Sequence, residues 1–71
     1  MMVTMSDWFA IGREAARDGR RRTPAHDARI AAMLEAEPCE VGSAEHVDHM
    51  NAMVSWLEGY DLELRRQMMQ A

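Results

Sequence analysis

Between residues 44 and 69, apolar side chains recur at Val47, Met50, Met53, Val54, Leu57, Tyr60, Leu64 and Met68, at spacings of three and four. That rhythm predicts an α-helix with one buried stripe; a half-buried strand would alternate instead. A helix over 44–69 spans about 39 Å, so the remainder of a 71-residue chain has to pack along its side. Ser43 is a suitable cap, and Glu45 favours the first turn. Gly59 interrupts the stripe at a cost of about 1 kcal/mol relative to alanine. A close backbone contact or a bend is expected there.

Two shorter helices are read before it. One covers about 6–18, with Ser6 as cap, Asp7 in the first turn and Gly19 as the stop. The other covers about 24–36, with Thr23 as cap and Pro24 at the first helical position. It must end before Pro38, which disfavours helical geometry at Glu37. Residues 38–43 read as a loop. The expectation is an all-α, three-helix domain over 6–71, with a flexible tail at 1–5. Cys39 has no second cysteine to pair with, which fits a reducing, cytoplasmic setting. Residues 1–11 lack the basic and apolar regions of an export signal, and no apolar run is long enough to span a membrane.

The first helix carries small residues at Gly12, Ala15, Ala16 and Gly19. Spaced by three and four, they leave a groove in which another helix can approach closely. Trp56, Leu57 and Tyr60, beside Gly59, are the natural partners, with Trp8 and Phe9 closing one end. The run from Ile11 to Arg22 and the later Trp56-Leu57-Glu58-Gly59-Tyr60 resemble the ribosome modulation factor family and its small phage and plasmid relatives. That family pairs a G-x-x-A-A-x-x-G helix with a W-x-x-G-(W/Y) helix. The matching segments cover about a quarter of the chain. The resemblance implies a compact helical pair that binds and inactivates ribosomes. Two departures stand out: 36 residues separate Gly19 from Trp56, enough for an additional helix, and the chain is acidic where ribosome-binding members are basic.

Charge is unevenly spread. All eight cations are arginine, against twelve acids, for a net of −4. Residues 1–30 hold six Arg against Asp7, Glu14, Asp18 and Asp27, a net of +2; the remainder holds Arg65 and Arg66 against eight acids, a net of −6. Phosphate attraction is thus confined to the N-terminal half. Arg13, Arg17, Arg20, Arg21 and Arg22 form a candidate basic patch, which alternatively serves only to complement a helix C-terminus. Glu40, Glu45, Asp48, Glu58, Asp61 and Glu63 form a candidate acidic surface able to stand in for nucleic acid on a basic partner. His46 and His49 share a helix face and, with Cys39 or His26, would make the beginnings of a zinc site; a solvated helix start is the plainer reading. No nucleophile–base arrangement and no glycine-rich phosphate loop is apparent.

These features point to a non-catalytic, cofactor-free binding protein that occupies a surface on a protein or ribonucleoprotein complex. Direct nucleic-acid contact stays open at this level. The alternative is a mobile-element inhibitor of the anti-CRISPR kind, acting through its acidic surface. Eight methionines, adaptable in packing, and the length of the third helix lead to an expected homodimer.

Overall fold

A computed structural model describes residues 5–36 and 40–69. It contains three α-helices: α1 (Met5–Arg17), α2 (Ala28–Ala36) and α3 (Ala44–Met69). A 3-10 turn, Pro24–His26, lies between the first two, and no strand occurs among the described residues. The architecture is therefore all-α. No helix of the described residues is long and apolar enough to cross a membrane. The tail expected at 1–5 lies outside the described residues, except that Met5 opens α1 and places Ser6 inside the helix.

Helix α1 ends where glycine allows it to. Gly19 takes a φ of +73°, in the left-handed region. Its N–H donates to Ala16 O at 3.1 Å and the Arg20 N–H donates to Ala15 O at 2.9 Å. This pair of bonds closes off the last-turn carbonyls and turns the chain sharply. At the start of α3, Ser43 Oγ accepts from the His46 N–H at 3.1 Å, as a cap should.

The second helix is shorter than the sequence suggests. Its expected start at 24 is a single 3-10 turn, and Thr23 makes no side-chain cap bond. Asp27 interrupts with an extended backbone, φ −74° and ψ 125°. Its side-chain Oδ1 accepts from the Arg29 N–H at 2.8 Å, and its carbonyl accepts from the Ala31 N–H at 2.9 Å. Asp27 is thus the cap of α2, and its pull toward α3, described below, breaks the helix read from Pro24.

Helices α1 and α3 make the principal contact, and they run in the same sense. Phe9 and Arg13 lie against Gly59, Arg13 and Arg17 against Glu63, and Ala16 against Gln67, so rising numbers meet rising numbers. The segment between them carries the chain back. At the crossing, a Cβ on Gly12 would overlap the Trp56 carbonyl, and one on Gly59 would overlap the Phe9 carbonyl. The two backbones approach to a distance only glycine allows. Trp8, Ala15, Ala16, Ile30, Ala52, Trp56 and Tyr60 form the core, and Ile11, Met33, Leu34, Met53, Leu57 and Leu64 pack around it.

The buried face of α3 differs from the stripe read in the sequence. His49, Ala52, Trp56, Gly59, Tyr60 and Glu63 face inward. Val47, Met50 and Val54 remain about half exposed, at 50%, 46% and 47%, and Met68 is 77% exposed. Tyr60 belongs to both sets, and Met53, Leu57 and Leu64 of the stripe pack at the edge of the core, partly buried. Close approach decides the outcome: the face offering Ala52 and Gly59 admits α1 at contact distance, whereas the more apolar stripe of branched and long side chains would hold it away.

Candidate functional site

The arginine-bearing turn after α1 is held by three devices. The Gly19 cap fixes its entry. The Tyr60 hydroxyl donates to the Arg20 carbonyl. Arg22 then lays its guanidinium on Asp61, Nε to Oδ1 at 2.7 Å and Nη2 to Oδ2 at 2.8 Å. The fork on Asp61 raises the Arg22 pKa above its ordinary value and lowers that of Asp61 below the usual carboxylate range. Tyr60 is itself supported by Trp56, with ring centroids 5.1 Å apart and planes inclined by 17°.

The five arginines of the candidate basic patch separate into different environments. Arg13 and Arg17 turn to Glu63, at 3.8 Å each, and Arg66 joins them at 3.9 Å. The Glu63 side chain is buried, and three guanidiniums fan around this one carboxylate, a net charge of +2. These are ion pairs without hydrogen-bond geometry, and Arg13 Nε and Glu63 Oε2 have no hydrogen-bond partner among the described residues. Arg22 is neutralised by Asp61. Arg20 and Arg21 are exposed and have no acidic partner among the described residues.

Asp27 is a residue that sequence patterning does not single out. It is 4% exposed. Its Oδ2 accepts from Trp56 Nε1 at 3.0 Å and from Arg29 Nη2 at 3.0 Å, while Oδ1 accepts from Arg29 Nε at 3.0 Å. Burial pushes the carboxyl pKa up, but the Arg29 fork, the Trp56 N–H and the Arg29 backbone N–H outweigh it and hold the pKa below the usual value. The signal that could have found it is its place directly ahead of Ala28-Arg29-Ile30-Ala31-Ala32, a good capping position. Around this residue lies a half-open cleft of about 280 Å³, lined by Gly19, Arg20, Arg21, His26, Asp27 and Trp56.

The remaining candidate residues are dispersed. Of the six acids proposed as one surface, Glu40, Glu45, Asp48 and Glu58 are exposed, Asp61 is engaged by Arg22, and Glu63 is buried among arginines. Among the helix-packing residues, Gly12, Ala15, Ala16, Trp56, Gly59 and Tyr60 are buried. Gly19 is exposed, and a Cβ added there would meet no atom within 4 Å, so it ends α1 and does not pack. His49 is buried and His46 half-buried, while His26 is exposed at the cleft. Cys39 lies outside the described residues. No group of three His, Cys, Asp or Glu among the described residues is arranged to hold a metal ion. No family model, curated protein or solved structure matches the chain.

Proposed function

We propose that this chain is a non-catalytic binding module that docks its arginine-bearing end onto a ribonucleoprotein surface, in the manner of ribosome modulation factor. The observation carrying this reading is that Arg20 and Arg21, which have no acidic partner among the described residues, sit on a turn held at the Arg20 carbonyl and at the Arg22 side chain. Tyr60 holds the Arg20 carbonyl and Asp61 holds Arg22, so the neighbouring side chains project from a preset position. Preorganisation of this kind lowers the ordering cost of association. The close approach of Gly12 to Trp56 and of Gly59 to Phe9 supports the motif resemblance. The acidic-mimic alternative draws less support, because Asp61 and Glu63 are engaged internally.

Co-sedimentation with purified ribosomal particles tests the proposal. Retention should fall steeply between 50 and 200 mM salt, on the order of tenfold or more for a few phosphate contacts. Arg20→Ala with Arg21→Ala should reduce it further at low salt, while the far-ultraviolet helical signal stays unchanged. No retention at low salt, or retention indifferent to both changes, defeats the reading.

A further inference from the structure

We propose that the cleft beside Asp27 is a phosphate-binding site, an assignment that rests on the docking reading above and specifies its chemistry. The cleft measures about 280 Å³. That falls below the roughly 300 Å³ at which drug-sized ligand pockets begin, so it suits a compact group. Arg20 and Arg21 supply the cations of its lining, and His26 adds an imidazole. Its floor is closed to other chemistries. Trp56 is 1% exposed and its N–H already donates to Asp27, so it offers neither a stacking face nor a free donor for a base. The Asp27 carboxylate is engaged by Arg29 and Trp56, with two donors on each oxygen, so it neither repels an anion as a bare charge nor invites a cation.

The end of α1 also faces this region, and a helix C-terminus disfavours anions. Here three of the last-turn carbonyls are occupied: Glu14 O accepts from Asp18, Ala15 O from Arg20, and Ala16 O from Gly19 and, at 3.4 Å, from Gln67 Nε2. The remaining charge in the lining is that of Arg20 and Arg21, on a turn held at the Arg20 carbonyl, and the guanidinium is the donor type best suited to phosphate oxygens. Either an inorganic phosphate or a phosphodiester of single-stranded RNA presents that group.

The test is a titration of the isotope-labelled full chain, followed by the Trp56 indole N–H and the backbone amides of residues 19–27. Separate titrations use inorganic phosphate, an oligouridylate, and sodium chloride at matched ionic strength. Phosphate or oligouridylate should move these signals where chloride does not. Arg20→Ala with Arg21→Ala should weaken the apparent affinity at least tenfold, whereas Arg65→Ala, on the exposed side of α3, should change it less than twofold. Response to phosphate alone assigns a free anion; response to the oligonucleotide at lower concentration assigns a phosphodiester. Shifts equal to those in chloride, or an affinity within threefold of the parent in the double variant, overturn the site. If the titration is silent while ribosomal co-sedimentation still depends on Arg20 and Arg21, the cleft assignment falls and the docking reading stands.

Discussion

Asp27 joins three separate requirements in one side chain: it caps α2, pairs with Arg29, and receives the indole N–H of the more deeply buried tryptophan. Its four acceptor contacts leave no simple substitute. Asparagine retains an acceptor for Trp56 but loses the charge that Arg29 grips. Asp27→Asn is expected to cost about 1.5–3 kcal/mol at pH 7, the range for hydrogen bonds to charged groups, read from the urea midpoint. The pH dependence has a definite sign. The folded-state pKa of Asp27 is depressed, so its contribution is complete above the unfolded value of about 3.9 and is lost as pH falls through the lower folded value. Parent and variant should therefore converge in stability as the pH is taken below about 3.5. A constant gap across that range would show that the charge contributes nothing.

Among the elements, α1 and α3 are joined by a glycine at each side of the crossing, and the two glycines meet backbone rather than side chains. A backbone obstacle cannot rotate away. Gly12→Ala is thus expected to lose about 1–3 kcal/mol through forced separation of the helices, measured by thermal denaturation. Gly19→Ala meets no atom at all but requires alanine at a φ of +73°, and should cost about 1–2 kcal/mol. The first change should also perturb the near-ultraviolet signal of Trp56, whereas the second should leave it intact. This distinction shows what is legible in the sequence. Helical periodicity, the Ser43 cap, the Gly19 stop and the small-residue contact all depend on local chemistry or on spacing, and each can be read from residue order. The face that α3 buries depends on how near α1 comes, which periodicity does not encode; periodicity favours the most apolar stripe, and the narrowest one prevails. Asp27 escapes a sequence reading for the same reason, since its importance comes from Trp56, 29 residues away. The arginine cluster is visible as a run, but which members find an acidic partner among the described residues depends on Asp61 and Glu63, which only folding brings near.

At the scale of the whole molecule the protein is elongated, 43 × 23 × 17 Å, with a radius of gyration of 12.7 Å against about 11 Å for a compact chain of this length. The excess comes from α3, twice as long as α1 at 26 residues against 13. Its closest approach to α1 is at Trp56 and Gly59, and residues 44–48 bury no side chain. Amides over 44–48 should therefore exchange with solvent faster than those over 56–64, by about tenfold or more in native-state hydrogen exchange. Equal protection would mean that α3 opens as one unit.

The pairing of the first helix with the last sets the order of events in folding. Bonds such as Tyr60 to Arg20 and Gln67 to Ala16 bridge 40 and 51 positions, separations more typical of sheet proteins than of helical hairpins. As the nascent polypeptide emerges, α1 has no mate, and its alanine–glycine groove stays open to water or chaperones until α3 has been made. Collapse is consequently a late step, slower than in bundles whose neighbouring helices zip together in sequence.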